Sequence, residues 1–485
     1  MPELSAGVGL RSERGPVLLS QMLATGLVAL DSTIIATAST SIAKDLGHFQ
    51  LLPWLFSVYL LAQAVAVPIY GRLADLLGRK NTLLFGIGLF LLGSILCGAA
   101  WSMPVLIGAR VIQGLGAGAV LPVSMTITAD LYTLQERAKV QGYLASVWAI
   151  ASVVGPTLGG VFAQLGIWRW IFWINLPLGA IAVVMLWRSY HETKHPDAKR
   201  EKIDYLGALL LSGGTTALLL GLLEGGSGWS WASATSIGIF LASAVLLAAF
   251  VYVELRIEHP IFSLAVLRRR VVAASTIASL MIGVVVLGLS TYVPIYAQNV
   301  LGFGALIAGL ALAALTIGWP AAASQAGRIY LRWGFRVTSV IGALLVTFGA
   351  ALMLMLGAHS SIWLVALFCF VVGAGMGFAA VPSLIAAQAS AAWHERGVIT
   401  GTNMFGRSMG SAIGVAIFGA IVNSRVTLNA AGVPEGAGLA SAMHLVFAGV
   451  FIVSIVLFVA VLFLPGHRTA AAQTDASDAD AAIPA

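Results

Sequence analysis

Apolar residues run along this chain in blocks of roughly 20, and the charges fall almost entirely in the gaps between blocks. A block of that length crosses a hydrocarbon core of about 30 Å as a helix. Fourteen such segments are legible, at approximately 17–41, 51–70, 82–101, 104–129, 140–163, 168–187, 205–223, 234–253, 271–297, 303–324, 337–357, 362–386, 398–422 and 442–464. Ten-residue stretches of strict apolar–polar alternation, the mark of a transmembrane β-barrel, do not occur. The pattern predicts an all-α integral membrane protein with fourteen transmembrane helices.

Composition agrees: of 485 residues 59% are hydrophobic and 9% charged, against about 25% charged in soluble domains. The net charge of +7 would suit a nucleic-acid binder, but its distribution excludes that reading. With the N-terminus inside, about 21 of the 26 Lys and Arg fall in cytoplasmic segments. Lys44, Arg169 and Arg425 are external, and Arg110 and Arg407 lie within segments. The basic excess therefore sets topology, and an even number of crossings puts both termini in the cytoplasm, with the chain in the cytoplasmic (inner) membrane. The polar start and long first apolar run predict a retained anchor in place of a cleaved signal peptide. Cys97 and Cys369 sit in apolar runs and read as small core residues. A GxxxxGK[ST] loop is absent, so ATP hydrolysis is not the expected energy source. No catalytic set, metal site or cofactor is expected.

Two stretches repeat. GRLADLLGRK (71–80) is echoed by GRIYLRWGFR (327–336): Gly71, Arg72, Gly78 and Lys80 align with Gly327, Arg328, Gly334 and Arg336 at an offset of 327 − 71 = 256. Gly114, Gly116 and Gly118 match Gly373, Gly375 and Gly377, and Gly142 and Gly155 match Gly401 and Gly414, all at 259. Related halves around a midplane site characterise secondary transporters. The expected organisation is an N-terminal six-helix half (1–190), two inserted helices with flanking cytoplasmic loops (191–270), a C-terminal six-helix half (271–465) and a disordered cytoplasmic tail (466–485) rich in Ala and Asp.

Several residues break the apolar pattern. Asp31, in GLVALDSTIIATASTS, is a lone carboxylate in the first segment, about 20 Å in from the cytoplasmic side. Arg110, in the fourth, lies about 7–8 Å below the external boundary, a depth that matches Asp31 within the uncertainty of helix ends. Opposite charges facing one cavity attract far more strongly in low dielectric than in water. Snorkelling toward external headgroups is the competing account of Arg110. In GRLADLLGRK, Gly71 and Gly78 permit a tight turn, while Asp75, Arg79 and Lys80 can pair with neighbouring helix ends, Asp130 being the partner expected for Arg79. A plain positive-inside turn is the bland alternative. GPTLGG (155–160) combines small residues at helix-packing spacing with a proline that favours a kink. Arg407 is deep in the thirteenth segment without an acidic partner in its half, and an intramembrane arginine is functional by default. Glu224 reaches the external interface and Glu254 opens a basic loop. Trp54, Tyr59, Gln63, Gln113, Met125, Trp148, Tyr292, Gln298, Asn403, Phe405 and Arg407 are the candidates for a ligand cavity. Aromatic and methionine side chains suit a large apolar or cationic ligand, and most are equally compatible with packing.

LDSTIIATASTSIAKDL, GRLADLLGRK, LIGARVIQGLGAGAVLP and GPTLGG, in this order and with the two-helix insert, resemble the major facilitator superfamily, in particular its fourteen-helix drug:proton antiporters. The resemblance covers nearly the whole chain. It implies the major facilitator fold and a proton-coupled exporter of drug-like molecules, driven by the proton gradient and not by a bound cofactor. It assigns proton coupling to Asp31 and Arg110, a conformational latch to Gly71, Arg72, Asp75, Gly78, Arg79, Lys80 and Asp130, and an antiport hinge to Gly155, Pro156, Gly159 and Gly160. The second copy of the latch has Leu331 and Phe335 in place of Asp75 and Arg79, so it should be weaker. Whether Asp31 carries the proton or chiefly orients Arg110 and attracts cations stays open. A dedicated exporter of one metabolite, such as a siderophore, an antibiotic or an amino acid, is the alternative on the same fold. The expected partners are the bilayer, protons and a small-molecule substrate; the expected state is a monomer, and any periplasmic adaptor is unidentified. A membrane enzyme is disfavoured because every loop is short.

Overall fold

In the computed structural model of the protein the described residues are 9–47, 51–192, 204–226, 228–257, 264–392, 395–423, 427–428, 434–435 and 437–466. A helix forms at each of the predicted segments. The first five are α1 (Gly15–Leu46), α2 (Leu52–Leu77), α3 (Arg79–Gly98), α4 (Met103–Leu131) and α5 (Leu134–Gln164). The sixth is divided into α6 (Trp170–Trp173) and α7 (Asn175–Ser189), and the insert supplies α8 (Tyr205–Glu224) and α9 (Ala234–Glu254). After the short α10 (Leu264–Leu267) come α11 (Arg270–Asn299), α12 (Ala305–Trp333), α13 (Phe335–Met353), α14 (Ile362–Ala389), α15 (Arg396–Asn423) and α16 (Ala437–Val461). Among the described residues thirteen helices are long and apolar enough to cross a membrane, and α8 adds a shorter apolar stretch, Leu206–Leu222. A two-residue antiparallel pair, β1 (Thr427–Leu428) with β2 (Pro434–Glu435), sets Thr427 opposite Glu435.

Several helices outrun their apolar segments because apolarity marks only the part that needs a hydrocarbon environment. The polar end of α1, Ser41–Leu46, keeps its helical hydrogen bonds beyond residue 41. The expected disordered tail lies, from residue 467, outside the described residues, as do 193–203 of the basic loop before the insert.

The chain divides into two compact units. Unit 1 comprises Met1–Thr216, Leu246–Ser263 and Trp393–Thr402, and so holds α1–α7 and the first turns of α15. Unit 2 comprises Ala217–Val245, Leu264–Ala392 and Asn403–Ala485. Its core is apolar, with Ile282, Leu289, Val346, Val372, Phe418 and Phe447 all buried. Unit 1 has an apolar core on the α2–α4 side around Tyr59, Ile87, Phe90 and Val123, and a second around Ile34, Leu55, Cys97 and Phe172.

The repeat reappears as packing. In unit 1, α4 lies against α2 and α3; in unit 2, α14 lies against α12 and α13. A Cβ on Gly114 would meet the Tyr59 carbonyl, and one on Gly373 the Leu315 carbonyl. Gly116 abuts Phe90 N and Gly375 abuts Val346 N; Gly118 meets the Gln63 carbonyl and Gly377 the Trp319 carbonyl. The contacted residues differ by 315 − 59 = 346 − 90 = 319 − 63 = 256 and the glycines by 259, the two offsets of the sequence repeat. The helix-to-helix turns match as well: Gly78 has φ +91° and Gly334 φ +88°, a conformation that side-chain-bearing residues rarely adopt. The glycines are thus sites of backbone contact between helices, the way membrane helices gain close packing without a hydrophobic driving force.

This packing makes a prediction. Gly116→Ala drives a Cβ into the backbone of α3 and should destabilise the protein by about 1–3 kcal/mol, whereas Gly108→Ala enters open space and should leave stability unchanged or slightly raised. Thermal unfolding of the two variants in detergent checks the contrast.

Candidate functional site

Asp31 and Arg110 meet. The carboxylate on α1 is 0% and the guanidinium on α4 1% exposed, and Arg110 Nη1 donates to Asp31 Oδ2 at 2.6 Å. The same Nη1 donates to Gln113 Oε1 at 2.7 Å. Gln113 Nε2 in turn donates to Asp31 Oδ1 and to Ser94 Oγ, each at 2.8 Å. Asn175, the first residue of α7, donates from Nδ2 to Ser94 Oγ at 3.2 Å and reaches Asp31 Oδ1 at 3.5 Å. Arg110 Nε donates to the Leu55 carbonyl at 3.3 Å, and the guanidinium stacks 3.9 Å from the Tyr59 ring centroid. Five helices, α1, α2, α3, α4 and α7, thus converge on one ion pair.

The local sequence explains the convergence. Arg110 and Gln113 are three residues apart on α4, hence on one face. The turn that follows carries Gly114 and Gly116, so α2 and α3 approach closely enough for Tyr59 and Ser94 to reach the pair. Both oxygens of Asp31 accept hydrogen bonds, and Arg110 meets a carboxylate, an amide oxygen, a backbone carbonyl and a ring face. A buried ion pair is tolerable only with such complete satisfaction. Within this cluster two buried polar atoms are without hydrogen-bond partners among the described residues, Asn175 Oδ1 and the Tyr59 hydroxyl.

A second cluster lies near the other end of these helices. Arg79, itself 0% exposed, donates from Nη2 to Asp75 Oδ1 at 2.9 Å and from Nε to Asp130 Oδ2 at 3.0 Å. Arg396, at the start of α15, donates to Asp130 Oδ1 at 3.1 Å. Asp75 also accepts from the backbone N–H groups of Gly397 and Val398 at 3.1 and 2.9 Å, so a carboxylate caps the positive end of α15. Gly71 fits under the Gly397 carbonyl, where a Cβ would come within 2.7 Å. Two arginines and two aspartates balance in charge. Glu192 accepts from the N–H groups of Arg79 and Lys80 at 2.8 and 3.3 Å, capping α3, while Lys80 Nζ donates to the Trp187 carbonyl at 2.7 Å. Arg72 is half-buried on α2.

Of the GPTLGG residues, Gly155 admits the Thr33 side chain, and Thr33 donates to the Ala151 carbonyl at 3.0 Å. This contact fastens α5 to α1 two residues from Asp31. Gly159 is buried, whereas a Cβ on Gly160 would meet nothing within 4 Å, so Gly160 is not a packing glycine in this conformation. Pro156 lies within α5, and its side chain is outside the described ones.

The cavity candidates separate. Tyr59 and Gln113 belong to the ion-pair cluster. Tyr292 is a core residue, edge-on to Phe418, and Asn403 ties α15 to α11 by donating to Ser275 O and Oγ at 3.0 and 2.8 Å. Met125 takes a contact from Gln141 Nε2 at 2.8 Å. Trp54, Gln63, Phe405 and Arg407 are half-buried, and Trp148 and Gln298 are exposed. Arg407 lies over the Trp319 ring at 5.4 Å.

A family model described as Major Facilitator Superfamily matches residues 22–415, which include both clusters. The chain belongs to the major facilitator superfamily. It is 35% identical over 406 residues to Multidrug resistance protein 3 of Bacillus subtilis (strain 168), covering 84% of this chain and 79% of that one. It is 32% identical over 417 residues to the multidrug transporter protein MdtP of the same organism, covering 86% and 77%. The fold matches that of the proton:xylose symporter XylE with a TM-score of 0.64 at 14% identity, over 93% of this chain and 96% of the other. The protein is therefore a multi-pass membrane transporter and not an enzyme. Two strings that imitate hydrolase motifs are explained by their surroundings. Gly406-Arg407-Ser408-Met409-Gly410 reads GxSxG, but it lies inside α15, and Ser408 donates to the Met404 carbonyl at 3.2 Å; a nucleophile elbow needs a sharp strand-to-helix turn. His191-Glu192-Thr193-Lys194-His195 reads HExxH, yet His191 and Glu192 are not helical, Glu192 caps α3, and residues 193–195 lie outside the described ones.

Sequence reasoning passed over Ser94, Asn175, Arg396 and Glu192. Ser94 and Asn175 are isolated polar residues in apolar segments at the depth of Arg110, a usable signal. For Arg396 the signal was arithmetic: Asp75 and Asp130 outnumber Arg79, so a second cation was due.

At the C-terminal end of α1, Asp45 accepts from Arg169 Nη1 at 2.8 Å and from Trp168 Nε1 at 3.0 Å, and these bonds hold its carboxyl below the ordinary range. A depressed pKa gives stability that is present above the unfolded value of about 3.9 and lost only as pH falls through the folded value. The difference in melting temperature between the protein and Asp45→Asn should therefore be constant from pH 5 to 8. For the central pair, Arg110→Met strands Asp31 and should cost about 3–5 kcal/mol, while adding Asp31→Leu should recover much of that loss in a double-mutant cycle read by thermal unfolding.

Proposed function

We propose that the protein exports drug-like small molecules from the cytoplasm in exchange for protons. The observation that carries this reading is the sealed Asp31–Arg110 pair inside a membrane-spanning unit, because a buried ion pair as a whole adds no stability that apolar residues in both places could not match. The names of the two Bacillus relatives supply the substrate class. Protons supply the energy, and no cofactor is involved. The distribution of Lys and Arg supports cytoplasmic termini in the cytoplasmic membrane, and a monomer suffices for the cycle.

Both oxygens of Asp31 accept from donors in this conformation, Oδ2 from Arg110 and Oδ1 from Gln113, and these charge-assisted and amide bonds favour the ionised carboxylate. A change of access that draws α1 from α4 would free an oxygen of Asp31. The carboxylate then takes a proton, and the proton is released when Arg110 returns. Exchange results if substrate and proton favour opposite access states. The latch of Asp75, Arg79, Asp130 and Arg396 stabilises one of those states, and hydrophobic or cationic molecules are the expected cargo.

Asp31→Asn keeps the shape and removes the titration. In inverted vesicles it should abolish proton-driven accumulation of ethidium while the protein remains in the membrane. Full proton-driven transport by this variant would sink the reading, and transport confined to a single metabolite would point to a dedicated exporter.

A further inference from the structure

Unit 2 contains a deep charge that its own helices do not balance. Arg407 lies 407 − 396 = 11 residues into α15, about 16 Å along the helix. Between residues 261 and 466 the sequence holds two acidic residues, Glu395 and Glu435. Glu395 precedes Arg407 by 407 − 395 = 12 residues, about 18 Å of helix, and Glu435 lies in β2, beyond the opposite end of α15. Among the described residues no carboxylate pairs with Arg407, and its buried Nε has no acceptor. Its guanidinium rests over the Trp319 indole of α12, and its backbone is fixed by Gly283 of α11, which abuts the Arg407 carbonyl.

The repeat shows what is particular here. At the two offsets, Arg407 and Trp319 correspond to 407 − 259 = 148 and 319 − 256 = 63, that is Trp148 and Gln63 of unit 1. Both are uncharged and both are among the residues that pattern alone points toward a ligand. A cation has been placed at a position whose counterpart manages without one. Burying an arginine is costly unless an anion or acceptors meet it, and the Trp319 face offsets only part of the charge while satisfying none of the N–H groups. A planar guanidinium fork is complementary to a carboxylate, and the adjoining indole offers a stacking face to an aromatic ring.

We propose that Arg407 and Trp319 form a subsite in unit 2 that binds aromatic carboxylates, so that anionic and zwitterionic aromatic compounds belong to the transported class. The proposal rests on the export reading and extends its cargo beyond cations. Asp31 is occupied by Arg110 in unit 1, so the two units differ in the charge they present: a neutral pair in one, an unneutralised cation in the other.

The test uses fluorescein, an aromatic carboxylate, and ethidium, a permanent cation, with binding to the full chain in detergent followed by fluorescence anisotropy. Arg407→Gln should weaken fluorescein binding by about tenfold or more and change ethidium binding by less than about twofold. Arg407→Lys, which keeps charge without the fork, should lie between the protein and Arg407→Gln for fluorescein; it decides the matter if Arg407→Gln does not fold. Ethidium binding in the same samples reports folding. Equal losses of both dyes in a folded variant, or binding of ethidium but not fluorescein by the unaltered protein, would overturn the proposal. Failure of the unaltered protein to bind either dye would overturn it together with the export reading, and ethidium transport tells the two failures apart.

Discussion

A guanidinium that stays charged at any physiological pH, fixed in the interior of a membrane protein, imposes its terms on everything around it. Arg110 must be met by an anion and by acceptors in defined directions, or the fold loses several kcal/mol. That requirement accounts for Asp31 on α1, Gln113 one turn along α4, the Leu55 carbonyl on α2 and the Tyr59 ring beneath. It also accounts for the glycines, because helices bearing those groups reach the arginine only where backbones nearly touch. The positions corresponding to Arg110 and Gln113 in unit 2, at 259 residues' offset, are Cys369 and Val372, and the one corresponding to Ser94, at 256, is Ala350. Where the arginine is missing, its partners are missing too, and the core is apolar.

The two ionic clusters differ in kind. The Asp31–Arg110 group is knit by side chains from five helices and sits among apolar residues. The Asp75–Arg79–Asp130–Arg396 group is knit partly by backbone: a helix N-terminus is capped by a carboxylate, and two glycine-bearing segments lie in contact. Separating the backbones at Gly71 and Gly397 would break the cap and the Arg396–Asp130 pair together, while the two bonds of Arg79 to Asp75 and Asp130 involve no residue of α15.

Much of this was legible in the sequence, for identifiable reasons. Helices show because twenty apolar residues have one economical structure in a bilayer. The Asp31–Arg110 and Arg79–Asp130 pairs show because charges in apolar surroundings have few possible partners, so depth alone nearly selects them. The repeat shows because glycines at helix contacts cannot drift without a clash. What did not show depends on geometry that spacing does not encode. Ser94 and Asn175 stand out by depth and polarity, but only the placement of α3 and α7 beside α4 shows that both reach the ion pair. Tyr59 was expected to face a ligand, and its ring lies against Arg110, because helix rotation decides which of the two an aromatic residue meets. Gly160 looks like Gly155 in sequence, and only the course of α5 shows that one touches α1 and the other touches nothing.

The neutrality of the Asp31–Arg110 pair has an electrical consequence. A neutral pair feels almost no force from the membrane voltage, however deep it lies. A proton added to it leaves one net positive charge, worth about 2.3 kcal/mol per 100 mV across the full membrane. Under the proposed exchange the voltage would act on the protonated pair and not on the unprotonated one, so through this pair the resting potential would favour inward movement of the proton without driving the pair's return.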